Sequence, residues 1–435
     1  MRVRAAESAA GKCRSPEELR RSFPGDFFRC PECSVLLIDL DGLRADRLGY
    51  AGYRPSVSPF IDSLARKGIV FQNAAAQSDW TFPSAASVVT SRYPSVHKIL
   101  ASHDVFNTAM PTVFSAFAAR GYRIFGNNER PFIASKSMSM DTQKFSFGNA
   151  AYVSEVAAEF DFISTSAAPA LAYVANMDMH APYWREGTPD EPPEVIEAQE
   201  LRLGFHGEAV STSAVRGLNR AYDQRVRYVD ARLRDLFARI SGAGLRERAI
   251  IFLFSNHGEE LLEHSTWGHG YGYSDEEIHV PLILLHPKVS ESNAARVCPQ
   301  VELIDIAPTA LAMTGATAAR FGAGRSLLPL LQGLVGGDVF KYAFSEGANK
   351  SPTQGKMARS LEWKLISTLD GSYLLYDLVR DPAETRDVKN ENPKASEEMK
   401  SVLEAWEKSG GAPYPPGSYR QSEAEKALLI KNGYW

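Results

Sequence analysis

Two polar segments at the ends of apolar runs carry side chains that could bind a metal ion. Asp39 and Asp41 follow the run SVLLI, and Asn256 and His257 follow the run AIIFLFS. Carboxylate, amide and imidazole groups are common ligands of divalent cations. Each segment alone could instead cap a turn or a helix, which is a frequent use of these residues. Taken together they favour a metal site, because strand ends of an α/β sheet meet at one edge.

A third segment, DWTFPSAAS over residues 79–87, precedes an apolar helical stretch. The hydroxyls of Thr81 and Ser84 could simply cap that helix. The same position offers free backbone N–H groups and the positive end of the helix dipole to an anion. A threonine there, beside a divalent cation, can lose its proton and act as a nucleophile. Trp80 and Trp184 could line such a site or only pack against neighbours.

Short apolar runs that alternate with amphipathic stretches would position these segments. Runs rich in β-branched residues and closed by polar residues are typical of buried strands. A helix is predicted over 222–240, where apolar residues recur at helical spacing. This alternation predicts a mostly parallel sheet covered on both faces. The strands are predicted within residues 34–42, 122–126, 170–177, 249–255 and 280–285.

The chain is predicted to have three parts. They are an N-terminal extension over 1–33, an α/β domain over 34–337, and a small C-terminal subdomain with a tail over 338–435. Short strand patterns over 342–345, 363–368 and 373–378 predict an antiparallel sheet in the last part. Residues 188–207 are rich in Pro, Glu and Gly and are predicted to form a surface excursion. The tail over 414–435 is predicted to wrap the surface.

The composition narrows the function classes without naming one. The 435 residues carry a net charge of −4, which gives no electrostatic reason to expect nucleic acid or an anionic membrane as partner. No apolar run approaches the roughly 18 residues of a membrane span. The charged N-terminus has no apolar core, so no secretory signal is predicted. Few cysteines in a long chain are typical of a reducing compartment, and we predict a cytoplasmic location.

Two of the four cysteines form the motif CPEC. Cys30 and Cys33 could be half of a zinc site or a redox pair. The sequence contains no second such motif and no nearby histidine pair. Because zinc takes four ligands, the favoured interpretation is an incidental pair at the edge of a domain.

Eight segments recur in a recognisable order between about residue 34 and residue 388. The first five are LLIDLDGLRADRLGYAGY, SPFIDSLARKGIVFQNAAAQS, TFPSAASVVTSRYPSVHKI, ANMDMHAPYW and FSNHGEELLEHSTWGHGYGYSDEEIHVPLILLHP. The closing three are VELIDIAPTALAMTGA, GRSLLPLL and LYDLVRDPAETRDV. In this order they resemble the sulfatase family of the alkaline phosphatase superfamily. The resemblance implies an α/β fold, with a large mixed sheet between helices and a small antiparallel C-terminal sheet.

The resemblance also implies a set of site residues. By position, Asp41, Asn256 and His257 correspond to ligands of one divalent metal ion, which could be Ca²⁺, Mg²⁺, Mn²⁺ or Zn²⁺. Thr81 corresponds to the nucleophile, which is also a ligand. Residues near the places that bind the transferring group are Arg44, His97, Lys98, His180 and His269. Of these, His180 or His269 would protonate the leaving oxygen.

Two positions depart from the family pattern. Typical members carry Cys or Ser in a C/S-x-P/A-x-R motif and convert it to formylglycine, whereas this chain has Thr81 and, four residues later, Ala85. A threonine cannot form that aldehyde, so we expect phosphate or phosphonate esters to be favoured over sulfate esters. The second departure is Asn256, where Asp is usual and a charge is lost. Asp39 is predicted to restore that charge as a further metal ligand.

The predicted function is that of a metal-dependent hydrolase or transferase acting on a small anionic phosphate, phosphonate or sulfate ester. The alternative is a catalytically impaired relative that binds an anionic ligand. A phosphotransferase is a third possibility. His264 and His269 could support a second metal ion, but one ion is favoured because no upstream Asp-x-x-x-His pair is found. Glu259 and Glu260 are predicted to lie in the first turn of a helix.

Overall fold

The structure is a computed structural model that describes residues 11–100, 104, 110–127, 145–148, 168–176, 178–179, 183, 212–316, 321–347 and 354–410. Its helices are α1 (Pro16–Ser22), α2 (Pro59–Ala65), α3 (Thr81–Thr90), α4 (Pro94–His97), α5 (Val113–Ala118), α6 (Thr212–Gly242), α7 (Asp275–Ile278), α8 (Ile306–Met313), α9 (Leu328–Leu331) and α10 (Pro393–Lys408). Its strands begin with β1 (Ser34–Leu40), β2 (Ile69–Ala75), β3 (Arg123–Asn127), β4 (Phe145–Gly148), β5 (Ala170–Asn176), β6 (Ala249–Phe254), β7 (Glu260–Leu261) and β8 (Trp267–Gly268). They continue with β9 (His279–Val280), β10 (Leu282–Leu285), β11 (Ala295–Glu302), β12 (Ala343–Glu346), β13 (Gln354–Arg359), β14 (Trp363–Thr368) and β15 (Tyr373–Asp377).

The main sheet is mixed, with a parallel centre. Its strand order is β11-β2-β10-β6-β1-β5-β3-β4, and β9 pairs with β2. The neighbours of β1 on both sides run parallel to it, while β10 runs antiparallel to β6 and β2. The predicted strands at 170–177 and 249–255 are confirmed as β5 and β6. The parallel centre brings the carboxyl ends of β1, β5 and β6 to one edge of the sheet.

Helices cover both faces of the sheet, as the alternation of side chains along β1 requires. Val35 and Leu37 face a core shared with α3 and α8, whereas Leu36 and Ile38 face a core shared with α6. All seven residues of β1 are buried, so the strand is apolar on both sides. The helix predicted over 222–240 lies within α6, and its apolar stripe is buried on the second face.

A second sheet follows in the C-terminal part. Strands β12, β13, β14 and β15 pair antiparallel in chain order. Helix α10 packs on this sheet through Trp406, whose ring stacks on Phe344 at a centroid distance of 4.9 Å. The predicted fold class, an alkaline-phosphatase-like mixed sheet between helices with a small antiparallel C-terminal sheet, is therefore confirmed. The exact limits of the three predicted parts stay predictions.

All four cysteines are paired in disulfides. Cys30 bonds to Cys33 within CPEC, and Cys13 bonds to Cys298, which lies on β11. The second pair ties the N-terminal extension to the main sheet, and Phe23 and Phe28 of that extension are buried in its core. With both thiols bonded, CPEC is not arranged as a zinc half-site. Since disulfides are typical of oxidising compartments, the cysteine argument for the cytosol loses its support, and cytoplasmic localisation stays a prediction.

Several sequence predictions fall outside the described residues. They are the surface excursion over 188–207, the tail over 414–435, His180 and Trp184. Among the described helices, none combines the length and apolar character needed to cross a lipid bilayer.

Candidate active site

The site is built where β1 and β6 end side by side. Because these strands pair in parallel register up to Asp39 and Phe254, the residues that follow them emerge at the same edge. His257 Nε2 lies 2.9 Å from Asp41 Oδ1, and both side chains are fully buried. The predicted meeting of the two strand-end clusters is thus seen in the structure.

Thr81 completes this group from the start of α3. Its Oγ1 lies 3.0 Å from His257 Nε2 and 3.2 and 3.3 Å from the two carboxylate oxygens of Asp41. The residue preceding the helix, Trp80, makes no side-chain cap. The Thr81 hydroxyl therefore faces the carboxylate and the imidazole instead of capping the helix, while Ser84 donates to the backbone oxygen of Asn256 at 2.5 Å.

The hydrogen bonds of His257 leave a place for a cation. Its Nδ1 lies 2.7 Å from the Gly258 carbonyl oxygen, which can only accept, so Nδ1 carries a proton. A neutral ring would then direct the Nε2 lone pair at the Asp41 carboxylate. Burial acts to lower the pKa of His257, but the charge of Asp41 outweighs it and the pKa is raised. A proton or a metal ion on Nε2 relieves this contact, and a backbone carbonyl on the other nitrogen is typical of histidine ligands.

Asn256 is oriented by Asp39. The Asn256 amide donates through Nδ2 to both carboxylate oxygens of Asp39, at 3.0 and 2.8 Å, and Asp39 also accepts from the Tyr173 hydroxyl at 2.6 Å. Asn256 Oδ1 is buried and has no hydrogen-bond partner among the described residues. An unpartnered buried oxygen is costly unless a ligand contacts it. Asn256 and His257 thus both have atoms that suit a divalent cation.

His269 lies beside His257 and is held by an acidic residue. The ring centroids of the two histidines are 4.3 Å apart. His269 Nδ1 is 2.8 Å from Glu259 Oε1, and the other oxygen of Glu259 accepts from the Tyr183 hydroxyl at 2.5 Å. The contact with Glu259 fixes the orientation of the His269 ring beside His257.

The helix predicted for Glu259 and Glu260 is not found. Glu260 instead begins β7, which pairs antiparallel with β8. The hairpin reverses at Leu262 and Ser265, which both have positive φ, and this is incompatible with a continuing helix. Glu259 lies outside a helix and contacts His269 Nδ1 instead. This contact could not be inferred from the helix-dipole argument that placed Glu259 in a first helical turn.

Sequence reasoning gave no role to Asp79, whose carboxylate is fully buried near the group. Its Oδ2 has no hydrogen-bond partner among the described residues, and its backbone oxygen accepts from Gly270 N at 3.0 Å. Burial raises the pKa of Asp79 to about 7, while the nearby charge of His257 acts to lower it. The indole N–H of Trp80 is likewise buried without a described partner. Both residues lie within two positions of Thr81, which is the signal that could have identified them.

The comparison with protein families decides the affiliation of the chain. The model described as "Sulfatase" matches residues 34–316, and that described as "N-sulphoglucosamine sulphohydrolase, C-terminal" matches residues 263–409. The chain belongs to the sulfatase family. The predicted family is therefore confirmed, whereas the role of Thr81 within it stays a prediction.

Among curated relatives, the chain is similar to arylsulfatase K. It is 27% identical to the Danio rerio protein over 197 residues, which are 43% of this chain and 37% of that protein. It is 29% identical to the Homo sapiens protein over 175 residues, which are 37% and 31% of the two chains. The matched part thus spans about a third of the length of these sulfatases.

Solved structures share the fold over most of the chain. BT1596, a 2-O GAG sulfatase, superimposes with a TM-score of 0.71 at 16% identity, covering 87% of this chain and 92% of that chain. The phosphonate monoester hydrolase of Agrobacterium radiobacter superimposes with a TM-score of 0.68 at 18% identity, covering 87% and 96%. At these identities, the likeness concerns the fold of sulfatases and their relatives alone.

Arg44 lies in a different setting from the one that the sulfatase resemblance implies. Its guanidinium is buried and donates to Asp46 at 2.9 Å, to Glu263 at 2.8 Å and to the Glu259 backbone oxygen at 3.0 Å. These partners already balance its charge. A contact between Arg44 and a substrate anion stays a prediction.

His97 and Lys98 lie at the end of α4, and the structure brings neither into the Asp41–Thr81–His257 group. His97 is buried, with Nε2 3.0 Å from Ser87 Oγ and with Nδ1 accepting from Ile99 N at 3.0 Å. Burial lowers the pKa of His97 to about 3, so the ring is neutral near pH 7. Lys98 is exposed. The substrate-binding roles of His97 and Lys98, and the catalytic role of His180 outside the described residues, stay predictions.

Replacing Asp39 with Asn tests whether this carboxylate restores the charge that Asn256 lacks. We expect Asp39→Asn to weaken divalent-metal binding by about tenfold, because a negative charge in contact with the ligand Asn256 attracts the cation by roughly 1 kcal/mol or more in a buried site. Isothermal titration calorimetry with Mn²⁺ measures the change. Asp230→Asn is the matched control, since Asp230 is a buried carboxylate that accepts from Phe60 and Ile61 on α2. Unchanged affinity in Asp39→Asn would remove the charge-restoring role.

Proposed function

We propose that the chain is a metal-dependent hydrolase or transferase that acts on a small anionic ester through Thr81. The single observation that carries this proposal is the convergence of Thr81 Oγ1, Asp41 and His257 Nε2, whose polar atoms lie 2.9 to 3.3 Å apart. Family membership supports ester hydrolysis as the reaction class. The threonine supports phosphate or phosphonate esters over sulfate esters, because it cannot supply the formylglycine of other sulfatases.

Asp41, Thr81, Asn256 and His257 would hold the divalent cation. When bound, the cation would lower the pKa of the Thr81 hydroxyl and offset negative charge on the transferring group. Burial raises the pKa of Asp79 to about 7, and a bound cation would lower it again, so that Asp79 would then supply a negative charge that Asn256 lacks. The unpaired indole N–H of Trp80 would donate a hydrogen bond to an oxygen of the substrate.

The chain's own residues would then carry out a displacement. Thr81 Oγ1, its proton released to water, would bond to phosphorus as the bond from phosphorus to the leaving oxygen breaks. Nε2 of His269 would give its proton to that oxygen, while Glu259 on Nδ1 would stabilise the charged ring and fix its orientation. Water or an acceptor alcohol would then give its proton to His269 Nε2 and attack phosphorus as the bond from phosphorus to Thr81 Oγ1 breaks.

A panel of nitrophenyl phosphate, phosphodiester, phosphonate and sulfate esters, each with Ca²⁺, Mg²⁺, Mn²⁺ or Zn²⁺, tests the proposal. We expect turnover of a phosphorus ester with at least one cation, loss of that turnover in EDTA, and slower turnover of the sulfate ester. Faster turnover of the sulfate ester would contradict the phosphorus preference.

The second candidate is a relative that binds an anionic ligand without turnover. Two observations favour it: Thr81 stands in place of the usual Cys or Ser, and Asn256 stands in place of Asp. Calorimetry separates the candidates, since binding of both metal and inorganic phosphate without turnover of any ester would support the second.

A further inference from the structure

A second cluster of metal-binding side chains lies on the other side of the β7 hairpin. One ligand atom each from Glu260, His264 and Glu276 lies within 4.8 Å of the others. Glu260 follows Glu259 directly, and successive side chains of an extended chain point in opposite directions. Glu259 contacts His269 of the candidate active site, whereas Glu260 contacts His264. The cluster is therefore separate from the group formed by Asp41, Thr81 and His257.

The hydrogen bonds of His264 fix its tautomer. Its Nε2 lies 3.0 Å from the Ala383 carbonyl oxygen, which can only accept, so Nε2 carries the proton. Nδ1 lies 2.7 Å from Glu260 Oε1, and that oxygen also accepts from the Ser274 hydroxyl at 2.5 Å. In the neutral ring, the Nδ1 lone pair would face a carboxylate. A cation at Nδ1 removes this repulsion, and the carbonyl on Nε2 is the usual partner of a histidine ligand.

Two carboxylate oxygens of the cluster have no hydrogen-bond partner among the described residues. They are Oε2 of Glu260 and Oε2 of Glu276. Glu260 is only 2% exposed, so this oxygen cannot be satisfied by bulk water. Glu276 Oε2 is 4.0 Å from His264 Nδ1, so it faces the same nitrogen. The unpartnered oxygens and the nitrogen thus point to a missing ligand.

In the absence of a metal ion, the cation that faces these carboxylates is His264 itself, whose pKa the hydrogen bond to Glu260 raises to about 9, and a metal ion at Nδ1 would replace that proton. Arginine contributes less. Arg44 is closest, with Nη2 3.8 Å from Oε1 of Glu276, but it makes shorter contacts with Asp46 and Glu263. Burial raises the pKa of Glu276 to about 8; Arg44 acts to lower it, and Glu260 adds to the increase. A cation bound between the two glutamates would stabilise both in their charged forms.

We propose that Glu260, His264 and Glu276 form a second divalent-metal site with a structural role. One imidazole and two carboxylates are a ligand set suited to Zn²⁺ or Mn²⁺. Through the hydrogen bond from His264 to Ala383, the ion would join the β7 hairpin to the segment after β15. Glu259 and His269 flank that hairpin, so the ion would also stabilise the positions of these two residues in the candidate active site. The proposal does not depend on the proposed function.

Metal content measured in an Asp41→Asn background separates this site from the first one. We expect the Asp41→Asn protein, dialysed against Zn²⁺ and passed over a desalting column, to retain one Zn²⁺ per chain by plasma mass spectrometry. Adding His264→Gln or Glu276→Gln should lower Zn²⁺ affinity by about a hundredfold or more and remove the retained ion. All four cysteines are in disulfides, so thiolates do not compete for the metal.

His279→Gln in the same background is the matched control. Its Nε2 also lies near a backbone oxygen, that of Gln72, but Nδ1 is 3.9 Å from a single carboxylate, that of Asp275. We expect this variant to retain the ion. Addition of Co²⁺ should produce visible absorption bands that disappear in His264→Gln and persist in His279→Gln.

Three results would overturn the proposal. The first is retention of Zn²⁺ after both His264→Gln and Glu276→Gln, and the second is its loss in His279→Gln alone. The third is failure of the Asp41→Asn protein to bind Zn²⁺ at all, which would mean that a proton on His264 balances the cluster. None of these results bears on turnover at Thr81, so the two proposals fail independently.

Discussion

Replacing Thr81 with Ala is expected to reduce turnover of the best phosphorus ester by about a thousandfold or more. Removal of a nucleophile costs at least this much in enzymes whose catalytic groups act as a unit, which corresponds to roughly 4 kcal/mol of transition-state stabilisation. Thr81 is nearly buried, and its hydroxyl contacts only the candidate ligands Asp41 and His257 among the described contacts. Steady-state kinetics with freshly added metal measures the loss.

Thr81→Ser is the matched variant, because it keeps the hydroxyl and removes only a methyl group. We expect it to retain turnover within about tenfold of the parent chain. Rapid quenching of the parent chain, followed by mass spectrometry, should find a phosphoryl group on the peptide that contains Thr81. Full turnover in Thr81→Ala would show that another group attacks the ester.

Replacing Arg44 with Met is expected to lower the free energy of unfolding by roughly 2 kcal/mol. The guanidinium is 1% exposed and is the shared partner of Asp46 and Glu263. Without it, Asp46 and Glu263 would keep only their longer contacts with Arg47, at 3.9 and 3.5 Å, and the buried Glu259 backbone oxygen would lose a donor. Urea unfolding followed by circular dichroism measures the change.

This variant also decides between a structural role and a substrate-binding role for Arg44. Lys98→Met is the control, because Lys98 is exposed and its removal should leave the unfolding free energy unchanged. If Arg44 binds substrate as the sulfatase resemblance implies, Arg44→Met would raise KM while retaining most of the stability. That result would contradict the arrangement described above.

The sequence predicted the meeting of Asp41 and His257 because it depends on strand order alone. Both residues follow apolar runs, and parallel neighbours in a sheet end at the same edge. Thr81 was predictable for a related reason, since it begins a helix that follows the segment leading out of β2. Its contact with Asp41 depends on packing as well, because β10 and β6 lie between β2 and β1 in the sheet.

The hydrogen-bond partners of Arg44 and His97 could not be read from the sequence, because several partners lie within reach of each side chain. Arg44 was expected at the substrate, yet Glu263, more than two hundred residues later, fixes its guanidinium. His97 resembled a substrate ligand by position, but Ser87 and Ile99 already occupy its two nitrogens. Long polar side chains reach several possible partners, and only the packed structure selects among them.

The departures from the sulfatase pattern gain a physical interpretation from the structure. The carboxylate of Asp39 contacts Asn256, whose side-chain amide donates to both of its oxygens. Because Nδ2 faces Asp39, Asn256 Oδ1 has no hydrogen-bond partner among the described residues and could contact an ion. Asp79 is a further buried carboxylate near the site, since its pKa is influenced by His257. Neither arrangement could be read from spacing, since both depend on which oxygen of a side chain is already occupied.

The central claim is that one divalent cation is held jointly by Asp41, Thr81 and His257. Anomalous diffraction from crystals grown with Mn²⁺ tests it most directly, because the signal locates the ion without assumptions about turnover. The account predicts an anomalous peak in contact with all three side chains. A peak that contacts none of them, or no peak at this edge of the sheet while Mn²⁺ is bound elsewhere in the molecule, would contradict it.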